Sequence, residues 1–577
     1  MEYGWSDEDA EAAVAHYGGQ GVNRDLALRT YTTRLLGSEP RLVIHGGGNT
    51  SVKTVMTDLA GEDTGVLCVK GSGWDMGTIE PAGLPAVRLE PLLKLANRDA
   101  LSDEDMVNAQ RCNLLDSRSP NPSVETLLHA FLPHKFIDHT HSNAVLALTD
   151  QPYGDDLCRD VYGETMGYVP YIMPGFALAK KAMEVYRETP EVEGLILLKH
   201  GIFTFGESAE EAYRRMIDKV TLAEQRIAQS GRATVAGMSL PKGMGKSRPK
   251  SFTPIELPKR IAPVAEVAPI LRGLAALDRA NGEPLRWVLD FRTGPGILEF
   301  VNGQDVDRYS QQGTATPDHV IRTKQKPLIT PPPEAGRLDA FIAGARVAME
   351  AYVADYHAYF ARNNPNQPVP KTELDPVPRL ILVPGLGLFG LGASKREAKV
   401  AADLAETNVE VIAAAEAMSA FQVIPEPDIF EIEYWSLEQA KLGKGVEKPL
   451  ARHVAVITGG GSGIGAACAA ALRAEGAEVA VLDRDSGAAE SVAAKVGGVG
   501  IGCDVTDAGA VRAAFDRVAE TYGGVDIVVS NAGAAWQGRI GDVSDQVLRD
   551  SFELNFWAHQ TVARHAVAIM TAQGTGG

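Results

Sequence analysis

Three histidines and one glutamate carry the sharpest chemical signal in this 577-residue chain. Ile137-Asp138-His139-Thr140-His141 lies in the apolar run KFIDHTHSNAVLAL. On a strand, positions i and i+2 share a face, so His139 and His141 can offer two imidazoles to one ion. His200 follows 59 residues later and reads as the end of the strand GLILLKHG. Two strand histidines plus a distant third make the three-ligand open site of a catalytic zinc. His-x-His alone fits two surface histidines equally well; the apolar strand and the third histidine favour the metal. Glu125 opens a helix after Pro122-Ser123-Val124 and stands four residues before His129 on one helical face. A glutamate in a first turn complements the helix dipole, and here it is also a candidate proton carrier. His129 and His134 read as structural.

Glycine loops supply the second signal. His45-Gly46-Gly47-Gly48-Asn49-Thr50-Ser51 is read as following a strand RLVI, and Lys70-Gly71-Ser72-Gly73 follows GVLCV. Either is an ordinary turn when taken singly, yet both can turn backbone N–H groups and hydroxyls toward a phosphate. A third motif, Thr458-Gly459-Gly460-Gly461-Ser462-Gly463-Ile464-Gly465, sits between the strand VAVI and an alanine-rich helix. There a tight turn, close approach to a pyrophosphate and a helix N-terminus coincide. The next strand ends at Asp483, placed to accept hydrogen bonds from a ribose diol and to repel a 2′-phosphate, which favours NAD over NADP. Gly385-Leu386-Gly387-Leu388-Phe389-Gly390 also satisfies GxGxxG, but no carboxylate is cleanly placed after it. It reads as a tight strand–helix turn, with a second anion site as the alternative.

The elements that must position these residues fall into three regions. Residues 1–240 alternate short apolar strands (RLVIH, GVLCVK, KFIDHTH, GLILLKHG) with helical patterns. The basic, proline-containing stretch LPKGMGKSRPKSFTPIELPK reads as a linker. Residues 241–440 hold an expected strand pair (LRWVLDFR, ILEFV), the breaker TPPPE, a long helix (LDAFIAGARVAMEAYVADYHAYFAR) and a strand–helix unit beginning at RLILVPGLGLFG. After the polar stretch KLGKGVEKPLARH, residues 451–577 show a clean βαβ pattern. The fold class expected is α/β throughout, with a mixed middle region and a partial dinucleotide-binding sheet at the end.

Composition narrows the partners. With 56 basic against 74 acidic side chains, the net charge of −18 gives no global pull toward nucleic acid or anionic lipid, so a phosphate must be caught locally. Five scattered cysteines make no disulfide framework. The acidic start lacks the basic and apolar regions of a signal peptide, and no apolar run spans a bilayer. A cytoplasmic protein acting on a small molecule is expected.

Together the first-region residues resemble the class II aldolase/adducin family: GGGNTS, KGSG, the PSVE glutamate, HTH and KHG occur in that family's order across residues about 25–230. The last region resembles the first half of short-chain dehydrogenases through Gly459, Gly463 and Gly465, Cys503-Asp504-Val505, Asn531-Ala532-Gly533 and Asn555 in LNFW. The fused arrangement resembles rhamnulose-1-phosphate aldolases joined to a dehydrogenase, with TPDHVIRTK as a recurring middle element. The resemblance implies an α/β aldolase domain followed by a partial Rossmann domain. It implies zinc, or another divalent metal, on His139, His141 and His200. Gly48, Asn49, Ser72, Gly73 and Ser123 would form a phosphate pocket, and Glu125 would be the acid/base. Val124 stands where single-domain members often carry a second serine. NAD would lie on Thr458, Gly459, Ser462, Gly463, Ile464, Gly465, Asp483, Asp504, Val505 and Asn531-Ala532-Gly533, and Asn555 would support a proton relay. The reaction implied is cleavage of a ketose 1-phosphate to dihydroxyacetone phosphate and an aldehyde, by a homo-oligomer. A zinc sugar-phosphate epimerase or dehydratase and a non-catalytic adducin-like scaffold are the alternatives; glutamate at 125 favours the aldolase. The dehydrogenases' catalytic serine and Tyr-x-x-x-Lys lie beyond TAQGTGG, so the resemblance implies a fragment with an inactive dehydrogenase half.

Overall fold

The computed structural model describes residues 1–230, 250–278, 282–443 and 445–576. By contact the chain divides into two units. One comprises Met1–Thr253, Arg308–Ile321 and Thr407–Gly443; the other comprises Pro254–Asp307, Arg322–Glu406 and Lys444–Gly577. The first part of the expected linker, 240–249, lies outside the described residues, as does Lys444.

The first unit is built on a seven-stranded mixed sheet. Its order is Ala86–Arg88, Asp63–Val69, Asn49–Thr57, Phe136–Thr140, Gly201–Gly206, Gly194–Leu197 and Met166–Val169. Period-two alternation sorts the side chains onto two apolar layers: Leu67, Val69 and Ile137 enter one core, while Val66, Cys68 and Phe136 enter the other. The same alternation sends Asp138 and His139 to opposite faces. On its face Asp138 meets Arg29 of the helix Arg24–Gly37 in a fully buried ion pair, Nη2 to Oδ1 2.6 Å. The Arg29 guanidinium also reaches the carbonyls of Ser51 and Ile137, both at 3.4 Å. Helix and two central strands are thereby tied at one point.

Several local expectations change here. RLVI is no strand: Leu42 N donates to the Glu39 carbonyl at 2.9 Å in a turn, and Leu42 and Val43 are apolar because they are buried beneath it. The strand is instead Asn49–Thr57, after the glycine loop, and its polar inward positions hide it from a periodicity search. His200 does not end a strand. It lies in the tight turn between Gly194–Leu197 and Gly201–Gly206, where Lys199 takes a φ of 61°.

The second unit holds a four-stranded sheet in the order Val288–Arg292, Gly387–Gly392, Leu380–Val383, Leu328–Ile329, and a parallel sheet in the order Val499–Gly502, Glu478–Asp483, Val454–Thr458, Ile527–Ser530. ILEFV is helical, within Pro295–Val301, because Gly294 and the N-terminal proline start a helix rather than a hairpin. Gly385–Gly390 is not a strand–helix turn. Leu380–Val383 and Gly387–Gly392 form an antiparallel hairpin closed by Leu386 N on the Val383 carbonyl at 3.0 Å. Its glycines serve packing: a Cβ on Gly390 would come within 2.4 Å of the Ala398 carbonyl oxygen of the helix Lys395–Met418. The long helix appears as Leu338–Asn363. The middle-region helix Val264–Leu274 joins the parallel sheet through Arg272, whose two terminal nitrogens contact both Asp526 oxygens at 2.9 and 2.7 Å with both side chains buried. Among the described residues no helix is long and apolar enough to cross a membrane.

Removing one partner of a fully buried ion pair strands the other charge in a low-dielectric interior. Arg29→Met should therefore lower the unfolding free energy of the first unit by about 3–5 kcal/mol, and Arg29→Met/Asp138→Leu should recover most of it. Urea midpoints followed by circular dichroism read both; an unshifted midpoint in the single variant contradicts the pair's role.

Candidate active site

One face of the strand Asn49–Thr57 organises the site. Its register sets Asn49 opposite His139 and Ser51 opposite Ile137. Positions 49, 51 and 53 point the same way, and each grips the short helix Thr126–Phe131 or its cap, Glu125. The Asn49 amide donates to Glu125 Oε2 at 2.6 Å and to Ser123 Oγ at 3.0 Å. Ser51 Oγ pairs with His129 Nδ1 at 2.8 Å, while His129 Nε2 contacts Asn49 Oδ1. Lys53 Nζ donates to the carbonyls of His129, Leu132 and His134 at 2.9, 2.5 and 2.8 Å, capping the far end of the helix. His129 is thus structural in a specific sense: it holds the asparagine that holds the glutamate.

His139, His141 and His200 converge beside Glu125. Their candidate ligand atoms lie within 4.8 Å of one another, and all three residues are buried. His141 is one residue past the strand Phe136–Thr140, yet its Nε2 lies 3.1 Å from His139 Nε2. The His139 ring stacks on Phe203 at 4.1 Å between centroids and turns Nδ1 to the Ile202 carbonyl at 3.0 Å. Glu125 Oε2 is 3.4 Å from His139 Nε2, and Oε1 is 3.6 Å from His200 Nε2. That Oε1 is buried without a hydrogen-bond partner among the described residues. Burial drives His139 well below the ordinary imidazole range and His200 down to about 4, so both rings favour the neutral form that a metal binds. Burial works to raise the Glu125 carboxyl, but the positive charge that protonation of the neighbouring imidazoles would bring, together with the Asn49 donor, pulls it down to about 2. Three buried imidazoles and an anionic carboxylate with one unpartnered oxygen fit a divalent cation.

The cluster forms one end of a pocket. Gly48, Asn49, Ser72, Gly73, Ser123 and Val124 line it, together with Gly46, Gly47 and Lys70. The Lys70 ammonium donates to the Gly46 carbonyl at 3.0 Å, fastening one glycine loop to the other, and burial pushes it down to about 7. Asp318, Glu438 and Lys441 complete the wall, the last two as an ion pair.

The glycine cradle of the parallel sheet is equally tight. Gly459 and Gly463 take φ of 60° and 52°. A Cβ on Gly465 would come within 2.3 Å of the Gly459 carbonyl oxygen. Thr458 Oγ1 accepts from the backbone N–H of Asn531 and Ala532 at 3.0 and 3.1 Å, and the Asn531 amide donates to the Thr458 and Gly459 carbonyls at 3.1 and 3.2 Å. Ser462 stands just before the helix Gly463–Ala474 without a side-chain capping bond, and Ile464 is exposed at the helix start. Asp483 Oδ2 accepts from Gly461 N at 3.0 Å, placing the carboxylate against the loop. Asp504 accepts from the Thr506 N–H and hydroxyl at 2.9 and 2.7 Å, and Val505 is buried beside it. Asn555 lies in a π-helical turn, Glu553–Trp557, and brackets the Ala534 backbone through both amide atoms at 3.1 and 2.8 Å.

Models of three families match the chain: the class II aldolase and adducin N-terminal domain over residues 29–227, the aldolase class II second domain over 262–442, and the short chain dehydrogenase over 453–577. Over 95% of its length the chain is 34% identical to a protein of Bacillus subtilis (strain 168) named uncharacterized oxidoreductase YuxG, of which it covers 78%. The chain belongs to the class II aldolase/adducin proteins fused to a short-chain dehydrogenase. Its dehydrogenase segment is 43% identical over 102 residues to D-threitol dehydrogenase of Mycolicibacterium smegmatis, covering 17% of this chain and 38% of that one. A solved N-terminal class II aldolase domain from Thermoplasma acidophilum is 43% identical, covering 35% of this chain and 93% of that one, with a TM-score of 0.34.

In this fusion protein the residues that sequence reading missed come from the second aldolase segment. Asp318, Glu438 and Lys441 lie far along the chain from the histidines, and only TPDHVIRTK drew notice, without a role. The aldolase domain's helix Thr126–Phe131 should depend on Lys53. Lys53→Met takes the ammonium donor from three partly buried carbonyls and should cost about 1–3 kcal/mol. A thermal melt matching that of the native chain would contradict the cap.

Proposed function

We propose that the aldolase part is a zinc-dependent lyase that cleaves a ketose 1-phosphate, of the rhamnulose 1-phosphate type, to dihydroxyacetone phosphate and an aldehyde. The observation that carries this reading is Glu125: a buried carboxylate within 3.6 Å of two of three clustered histidines, at the end of a pocket lined by glycine loops, serines and lysines. Cleavage next to a ketone moves two protons, one off the hydroxyl that becomes the aldehyde and one onto the carbon that leaves as dihydroxyacetone phosphate. Glu125, a carboxylate at rest, gains a proton in the first transfer and delivers one in the second. Its carboxylate is held by the Asn49 amide, which sets its position without protonating it. A metal on His139, His141 and His200 supplies Lewis-acid stabilisation of the charge that develops on the substrate oxygens. Backbone N–H groups of the two glycine loops, the Ser72 and Ser123 hydroxyls and the Lys70 ammonium bind the phosphate locally, against an overall charge of −18.

The dehydrogenase segment supports binding of NAD, since the Gly459 and Gly465 cradle leaves no room for side chains where a pyrophosphate approaches, and Asp483 disfavours a 2′-phosphate. The one tyrosine after Gly459, Tyr522, is buried with its hydroxyl on the Val479 carbonyl at 3.2 Å, so it cannot exchange a proton with a bound alcohol.

Glu125→Gln should lower cleavage by on the order of 10²–10⁴-fold while metal content stays at that of the native chain. His139→Ala/His141→Ala should lose both metal and cleavage; stoichiometric zinc in that double variant would sink the metal assignment. For the dehydrogenase half, residues 1–577 should bind NAD weakly and produce no NADH from lactaldehyde. Robust NADH production would mean that another residue of the chain exchanges the alcohol proton and would overturn this reading.

A further inference from the structure

We propose that Asp318, itself held by Thr316, orients His141 for metal binding, which makes Thr316-Pro317-Asp318 of the second aldolase segment a positioning part of the metal site. The inference rests on the reading of His139, His141 and His200 as ligands. Asp318 Oδ1 lies 3.3 Å from His141 Nδ1, and the Thr316 hydroxyl donates to that same Oδ1 at 2.9 Å. Thr316 Oγ1 also lies 3.4 Å from both the His200 carbonyl and His141 Nδ1, so the segment rests on two of the three histidines at once.

The need for such a partner follows from the strand. His139 lies inside Phe136–Thr140, and its Nδ1 is fixed by the carbonyl of Ile202 on the neighbouring strand. His141 lies one residue beyond the strand, where no register sets its ring. A histidine ligand whose one nitrogen donates to a carboxylate is locked in the tautomer that frees the other for the metal. In His141 the freed atom is Nε2, the one facing His139 Nε2 at 3.1 Å. The glycine loop closes over this pair: a Cβ on Gly47 would come within 3.3 Å of His141 Nδ1 and 3.5 Å of Asp318 Oδ2. Asp318 touches ring edge rather than the converging nitrogens, so it acts through His141.

The test is zinc affinity of the full chain, measured by competition with a chromophoric chelator after metal removal, for the native protein, Asp318→Ala, Asp318→Asn and Thr316→Val. Asp318→Ala should bind zinc about 10–100-fold more weakly while the circular dichroism and melting of the metal-free chain stay unchanged. Asp318→Asn, which keeps an acceptor oxygen, and Thr316→Val should lose less, in the same direction. Native-like affinity in both Asp318 variants overturns the proposal. If Asp318→Ala does not fold, native-like affinity in both Asp318→Asn and Thr316→Val overturns it equally. A native chain that holds no zinc removes the metal reading and this inference together, an outcome distinct from selective failure of the variants.

Discussion

The candidate site depends on one register: Asn49 opposite His139 across the antiparallel pair Asn49–Thr57 and Phe136–Thr140. Buried polar groups are tolerable only when bonded, and this pairing lets one strand face bond a glutamate, a histidine and a helix terminus in succession. A slip of one residue would turn Asn49, Ser51 and Lys53 to the opposite layer. The helix that carries Glu125 would then lose both its ends. The Arg29–Asp138 pair reinforces the register from the other face, because it spans the helix Arg24–Gly37 and both strands.

The electrostatics follow from that burial. Burial drives His139 and His200 toward the neutral form, Asp318 pulls His141 the other way, and a carboxylate among them keeps its charge only through the groups around it. Such a cluster is poised for a cation and would be strained without compensation. The same pocket wall also carries glycine loops, serine hydroxyls and the Lys70 and Lys441 side chains, the latter paired with Glu438.

The three glycine-rich motifs show where sequence likeness stops being informative. The loop at 46–48 lines the pocket, and the turn at 459–465 leads into the helix Gly463–Ala474. The motif at 385–390 has similar letters, but its glycines let a helix lie close on a hairpin. In each motif protein atoms crowd the missing side chain: a Cβ would come within 2.6 Å of the His139 carbonyl oxygen at Gly48, 2.4 Å of the Ala398 carbonyl oxygen at Gly390 and 2.3 Å of the Gly459 carbonyl oxygen at Gly465. Spacing of glycines along the chain does not encode which atoms those are.

Much was legible in the sequence by itself: the α/β class, the aldolase and dehydrogenase segments, the clustering of the three histidines and the glycine turn that opens the helix Gly463–Ala474. Those features are local, fixed by period-two alternation, by turn chemistry and by residue types with few alternative uses. The strand Asn49–Thr57 was not legible, because its inward positions are polar for the sake of the site and break the apolar alternation that marks a strand. Nor was the helical state of ILEFV, where a short apolar run satisfies either period. Only the tertiary structure decided that His129 and Lys53 support Glu125, and that Asp318, Glu438 and Lys441 of a distant segment reach the pocket wall. Those assignments are contacts between residues far apart in sequence, selected by which buried polar groups needed partners, and no spacing rule along the chain records them.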